Sequence, residues 1–327
     1  MKKHPPILTV RNLCKYFPIH GKGFFSQVVR LVRAVDNVSL ELASGETFGL
    51  VGESGCVKTT MARTILRALE PTKGEILFRA NGRIVNLVSL KEKRLKSLRP
   101  KMQMIFQDPF SSLNPRMTVG NIIAEPLVIH KMAKRSELKD CVAEMLTRVG
   151  LEPDHAVRYP HAFSGGQRQR IGIARALIMH PSFVICDEPV SALDVSVQAQ
   201  IINLLQDLQK DFELTYIFVA HDLSVVKHIC DRVAVMYAGK IVELAETKSL
   251  FGNPKHPYTR ALMSAIPCPD PDKKMSFELR GEVPDPANLP SGCSFHPRCP
   301  ECFGPCLKEL PALRKLEDNR YVACHLY

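Results

Sequence analysis

Nine consecutive residues, Gly52 to Thr60 (GESGCVKTT), have the types and order needed to hold a phosphate. They follow an apolar run, Thr47 to Val51, that reads as a buried strand, and they precede a helical pattern, Met61 to Leu69. Strand, Gly-bearing loop, Lys-Thr and helix is the context a P-loop requires. Backbone N–H groups of Gly52, Glu53, Ser54, Gly55, Cys56 and Val57, with those of the helix start, would point at phosphate oxygens. Lys58 would supply charge to the outer phosphates, and Thr59, with Thr60 behind it, a hydroxyl for a divalent cation. Position 57 departs from G-x-x-x-x-G-K-[ST], because Val57 stands where Gly is expected. A β-branched residue suits a positive φ poorly. A strand-to-helix turn carrying no ligand is the competing reading.

Further chemistry-bearing residues follow apolar runs. Asp187-Glu188 ends the run Phe183–Cys186, where Asp187 could serve a cation and Glu188 an attacking water. A simple turn or helix start explains such a pair equally well. Ser164-Gly165-Gly166-Gln167 opens a helical pattern, Ile171 to Met179, and forms either an anion-binding helix start or a plain N-cap. Gln107 follows the run Met102–Phe106, and His221 follows Tyr216–Ala220.

The elements that must position these residues are legible from periodicity. Ile7–Val10 and Val35–Leu42 alternate as strands, with a basic Gly-bearing loop over His20–Arg33. Asn81-Gly82 and Ala238-Gly239 read as hairpin turns. The pattern over 108–180 is helical, with Leu138, Val142, Met145, Leu146 and Val149 at core spacing, and a second helix buries Ile201, Ile202, Leu204, Leu205 and Leu208. Parallel strands alternating with helices predict an α/β sheet with ligands at the strands' carboxyl ends, where Lys58, Gln107, Glu188 and His221 all fall. Beyond Phe251 prolines become frequent, predicting an extended tail with a small cysteine-rich module.

Composition narrows the class. The 327 residues suffice for one large or two medium domains, and 45% hydrophobic with 24% charged residues is ordinary for a globular protein. The sequence shows neither a transmembrane run nor a signal peptide, which predicts a cytosolic chain. The net charge of +11 admits an anionic membrane surface or nucleic acid. Lys91–Lys101, rich in Lys and Arg, reads foremost as a solvated helix face.

In order and spacing, Phe163–Gln167, Asp187-Glu188, Ser191-Ala192-Leu193-Asp194, Gln107 and His221 resemble the motifs of ATP-binding-cassette (ABC) ATPases. Gln107–Pro115, Asp187–Gln200 and the KHPYTRAL segment (255–262) are similar to the ATPase subunits of oligopeptide and dipeptide importers, and the likeness spans the chain. It implies an ABC-type ATPase cassette over 1–250: a P-loop RecA-like core, an antiparallel β subdomain and a helical subdomain at about 108–180. A C-terminal extension with a cysteine cluster follows over 251–327. It implies ATP and Mg²⁺, with Thr59, Gln107 and Asp187 around the cation, and Glu188, His221 and Gln107 as the catalytic set. Phe17 matches the aromatic stacked on adenine, with Tyr16 its neighbour and competitor. Two cassettes would meet head to tail, so Ser164, Gly165, Gly166 and Gln167 would touch ATP bound by a partner, expected to be a paralogous ATPase. Two transmembrane permease subunits and, indirectly, an extracytoplasmic binding protein complete the assembly; no nucleic acid is expected. The chain would sit peripherally on the cytoplasmic face of the plasma membrane and energise peptide import. Nickel or another solute, and a soluble cassette acting on ribosomes or DNA, are the alternatives.

The chain departs from the family at Val57 and, less, at Ala162, where an acidic residue is usual. Val57 implies either an impaired site in an asymmetric pair, the favoured reading, or a loop that accommodates valine. Cys293, Cys299, Cys302, Cys306 and Cys324 crowd the C-terminal end. Four thiolates suit an iron–sulfur cluster or tetrahedral zinc, and Cys299-x2-Cys302 alone has zinc-like spacing. The family resemblance implies a [4Fe–4S] cluster on Cys293, Cys299, Cys306 and Cys324, with zinc as the alternative.

Overall fold

The computed structural model describes residues 5–20, 28–53, 57–265, 281–282, 284–316 and 319–327 of the 327. In chain order, β1 (Pro6–His20), β2 (Val28–Ala43) and β3 (Thr47–Val51) lead into α1 (Val57–Ile65). Then come β4 (Lys73–Ala80), β5 (Arg83–Asn86), α2 (Glu92–Leu98) and β6 (Met102–Ile105). Three helices follow: α3 (Val119–His130), α4 (Leu138–Arg148) and α5 (Gly165–Leu177). Strands and helices then alternate through β7 (Phe183–Asp187), α6 (Val195–Phe212), β8 (Thr215–Val219), α7 (Leu223–Ile229) and β9 (Arg232–Tyr237). After β10 (Lys240–Glu246) the chain forms α8 (Thr247–Gly252), α9 (Pro257–Ser264), α10 (Gly304–Lys308), β11 (Arg314–Lys315) and β12 (Tyr321–Val322).

These elements make two compact units, one of Met1–Ile7, Leu42–Thr47 and Phe78–Phe218, the other of Leu8–Glu41, Phe48–Leu77 and Val219–Tyr327. In the first unit the strands run β8-β7-β6, with β6 and β7 parallel (Met102↔Phe183 to Ile105↔Cys186). β7 and β8 are buried at every residue, as expected of parallel strands covered on both faces. α6 turns Ile201, Ile202, Leu205 and Leu208 inward at helical spacing and ends at Glu213, whose left-handed φ of 52° stops the helix. Each such buried side chain contributes about 2 kcal/mol. α3, α4 and α5 form the helical part, and α4 buries Val142, Met145 and Leu146. α2 carries the basic run with only Leu95 buried, the solvated face expected of it.

In the second unit the order is β11-β12-β10-β9-β3, with β3 parallel to β9 (Phe48↔Arg232 to Val51↔Val235) and β10 antiparallel to β9 and β12. Both expected hairpin turns are present, Asn81-Gly82 in the first unit and Ala238-Gly239 in the second. Asn81 and Gly82 take φ 49° and 76°, Ala238 and Gly239 φ 47° and 81°, the left-handed pair a tight hairpin needs.

Two expectations are corrected. β1 and β2 are far longer than Ile7–Val10 and Val35–Leu42: β1 runs to His20 with Leu13 and Cys14 buried, and β2 begins at Val28, inside the stretch read as loop. The C-terminal extension is also not merely trailing, since Tyr321–Val322 joins the sheet against Glu243 and Leu244. Among the described residues no helix is long and apolar enough to cross a membrane.

Candidate functional site

β3 delivers the chain to Gly52, whose backbone leaves no room for a side chain. A Cβ there would lie 2.3 Å from the Met236 carbonyl oxygen, and φ is +155°. Lys58, in the first turn of α1, is buried, and its ammonium donates to the carbonyls of Gly52 (2.9 Å) and Glu53 (3.0 Å). Thr59 and the buried Thr60 follow on the same helix. Ser54, Gly55 and Cys56 lie outside the described residues. Val57 opens α1. Within a helix a β-branched residue costs only a little propensity.

In the first unit, β7 ends in Asp187, 2% exposed, and the chain turns at Glu188, whose φ is +47°. That left-handed backbone is rare for glutamate and aims its side chain away from the strand's line. Gln107, beyond β6, donates its amide to the Glu188 carboxylate at 2.7 Å. The Ser191 hydroxyl and amide both donate to the Glu188 carbonyl (3.1 and 3.3 Å), fixing the turn. The acid expected to handle water and the glutamine expected beside the cation are therefore in contact.

Ser164 caps α5 in a reciprocal box. Its hydroxyl accepts from the Gln167 amide (3.3 Å), and the Gln167 side chain accepts from the Ser164 amide (3.1 Å). Ser164 is exposed, at a helix start that favours anions. A Cβ on Gly166 would stand 2.5 Å from Val197 Cγ1, so α5 and the start of α6 touch through that glycine. Behind it, Arg168 bonds the Phe163 carbonyl (2.9 Å) and lies over the Phe110 ring at 4.3 Å. Near Gln107, a groove of about 450 Å³ is lined by Met104, Phe106, Ser111, Pro126 and Arg175, with Phe106 and Phe110 well exposed.

In the second unit, Tyr16 and Phe17 separate in role. The Tyr16 hydroxyl donates to Asp36 (2.6 Å), which Lys240 also binds (2.7 Å). Burial works against the Asp36 carboxylate, but the bonds from Lys240 and Tyr16 outweigh it and hold its pKa below the ordinary value. Burial first, then the bond to Asp36, pushes the Tyr16 phenol far up. Phe17 is half-buried, with the Lys15 ammonium 4.8 Å from its ring centroid. His221 follows β8, exposed, just before Asp222, which caps α7 through the Ser224 amide (2.8 Å).

The cysteine module gathers around the Cys293 amide, which donates to the Cys306 carbonyl at 2.9 Å. Burial, then Cys306 and Cys324 nearby, raises the Cys293 thiol pKa. Burial, then Cys293, Cys324 and Cys306, raises Cys299 to about 11. Burial and Cys306 likewise raise Cys324. Cys302 is exposed, and its thiol pKa too is raised, by slight burial and by Cys306. The four expected thiols thus share one neighbourhood, and their donor chemistry suits a thiolate-bound metal group. Among the described residues, however, no three His, Cys, Asp or Glu side chains are arranged as a metal site.

Sequence reasoning missed how firmly the extension holds the second unit together. Glu243, fully buried, accepts from the amides of Lys255 (3.0 Å) and His256 (2.8 Å). Tyr258 and Arg298 both reach Glu53. An acid inside the otherwise apolar strand KIVELAE was the available signal for the first.

The ABC transporter family profile matches residues 35–191, and the family described as "Oligopeptide/dipeptide transporter, C-terminal region" matches 242–306. The chain is 53% identical over 324 residues to the oligopeptide transport ATP-binding protein AppF of Bacillus subtilis (strain 168), covering 98% of this chain and 97% of that protein. It is 50% identical to a probable peptide ABC transporter ATP-binding protein of Sinorhizobium fredii, covering 98% and 90%. Among solved structures, an ATP-binding cassette captured as a dimer after hydrolysis, with ADP and phosphate, superposes with a TM-score of 0.63 at 27% identity, covering 73% of this chain and 98% of the other. CbiO1 of Clostridium perfringens, part of an ABC transporter complex, gives the same TM-score over 76% and 91%.

Proposed function

The chain belongs to the ATP-binding subunits of oligopeptide ABC transporters, and from that premise we propose how its residues do the work. It is an ATPase that energises peptide import. The observation that carries the assignment of roles is the 2.7 Å bond between Gln107 and Glu188 beside the buried Asp187.

ATP's phosphates are received by the loop Gly52–Thr60, with Lys58 turning from the Gly52 and Glu53 carbonyls to the β- and γ-phosphates. Phe17 stacks on the adenine. Thr59, Gln107 and Asp187 are the residues that would hold Mg²⁺, which would supply charge neutralisation for the phosphates. Glu188 accepts a proton from the attacking water, with Gln107 orienting its carboxylate. His221 completes the set by hydrogen bonding at the γ-phosphate. Val57 is accommodated, since its backbone is helical.

The exposed cap Ser164–Gln167 faces ATP on a paralogous cassette, in a head-to-tail pair closed by nucleotide and opened by hydrolysis. Two permease subunits dock on the segment after Gln107, where the exposed Phe106 and Phe110 flank a groove. The chain works as a peripheral subunit at the cytoplasmic face of the membrane, with the extracytoplasmic binding protein reached only through the permease. Cys293, Cys299, Cys306 and Cys324 hold a [4Fe–4S] cluster, zinc being the alternative; their shared neighbourhood supports this.

Mg-ATP titration of the purified chain beside Val57→Gly tests the site. Similar affinities support an accommodating loop. Binding by the Gly variant alone would make this chain's own loop degenerate and leave Ser164–Gln167 as its contribution to the partner's site.

A further inference from the structure

Glu53 is an awkward residue for a phosphate site. Its carboxylate lies within the stretch assigned to phosphates, where a free negative charge repels an anionic ligand. The structure cancels it. Arg298 Nη1 reaches Glu53 Oε2 at 2.7 Å and Nη2 reaches Oε1 at 2.9 Å, a fork-on-fork pair. The Arg298 side chain is 5% exposed and that of Glu53 24%. The Tyr237 hydroxyl stands 3.4 Å from the same guanidinium nitrogen.

Glu53 is held a second way. Its amide donates to the Tyr258 hydroxyl at 2.7 Å. Tyr258 is fully buried and packs against Tyr237 (ring centroids 4.6 Å apart) and Phe295 (5.4 Å), three residues before Arg298. The Glu53 carbonyl accepts from Lys58. One residue is therefore fixed at its amide and carboxylate by the C-terminal extension, and at its carbonyl by the lysine meant for phosphate.

We propose that Arg298 is a charge-neutralising and positioning residue of the phosphate loop. It cancels the Glu53 carboxylate and, with Tyr258, sets Gly52-Glu53 so that Lys58 meets a nucleotide's phosphates. Nucleotide affinity is thereby conditional on a docked extension. The proposal rests on the nucleotide-binding reading above.

The test is Mg-ATP titration of the full chain as wild type, Arg298→Met, and Arg298→Met with Glu53→Gln, with thermal melting alongside. Arg298→Met should weaken binding about ten- to a hundredfold, the effect of one uncancelled charge near phosphate. Adding Glu53→Gln should recover most of that loss, because it removes the exposed charge without restoring any contact. A pair that is merely structural predicts no recovery, and equal weakness in the single and double variants overturns the proposal. Tyr258→Phe and Arg298→Lys guard against failed folding of Arg298→Met. Each should weaken binding by about three- to tenfold, and wild-type affinity in both overturns the proposal. The series is repeated on Val57→Gly. Binding there that ignores every substitution overturns this proposal alone, whereas no binding in either background overturns the nucleotide reading and this one with it.

Discussion

The Gln107 amide and the Glu188 carboxylate meet at 2.7 Å although 81 positions separate them in sequence. β6 and β7 are parallel neighbours, so both residues emerge beyond the same ends of adjacent strands. Glu188 adds a left-handed turn that Ser191 braces. Replacing Glu188 by Gln keeps the shape and removes the base. Turnover in the assembled transporter should fall by about 10²- to 10⁴-fold, with Mg-ATP affinity nearly unchanged. Phosphate release and equilibrium binding, measured on the same preparation, separate the two effects; a variant that hydrolyses at the wild-type rate would remove Glu188 from catalysis.

Gly166→Ala should act only in the pair. Its Cβ would press on Val197 Cγ1 at 2.5 Å, so α5 or α6 must shift. Hydrolysis by the two-cassette assembly should drop by about tenfold or more, while ATP binding to the isolated chain stays as it was. Loss of binding in the isolated chain would place the signature segment in the wrong site.

Stability should depend on pH through His256. Burial first, then Arg260, lowers its pKa from 6.5 to about 3. Its neutral Nδ1 accepts from the Tyr258 amide. A depressed pKa favours the neutral folded form, so this contribution is complete above about pH 6.5 and is lost as pH falls toward 3. Melting temperature should fall across that window, and His256→Asn, which keeps a capping acceptor, should flatten the fall. An unaltered slope in the variant would assign the acid sensitivity elsewhere.

The cysteine module makes a chemical prediction. Protein purified without oxygen should be brown, with about four irons per chain and broad visible absorbance. Cys306→Ser, which removes one of the four proposed ligands, should lose the colour while Cys302→Ser keeps it. Colourless, iron-free, folded protein with one bound zinc would select the zinc alternative, and metal-free protein would remove both.

The chemistry was more legible than its supports. Apolar runs such as FVICD and TYIFV announce buried strands, and both hairpin dipeptides take the left-handed φ their composition demands. Periodicity placed α6 and its inward face. A motif letter does not state a local conformation, so that Val57 is the first residue of α1 could not be read from the loop motif. The family motif picks out Phe17 over Tyr16, but the bond from the Tyr16 hydroxyl to Asp36, which arrives from β2, was not legible. Nor could spacing reveal that Arg298 pairs with Glu53, a contact across 245 positions.

The central claim is that ATP spent by this chain drives peptide entry. The most direct measurement is peptide uptake and phosphate release by the reconstituted transporter containing this chain, against versions carrying Lys58→Ala or Glu188→Gln in this chain alone. The account predicts that both activities rise with substrate peptide in the wild type and that each substitution lowers both together. Uptake and hydrolysis that persist at wild-type rates in both variants would contradict it.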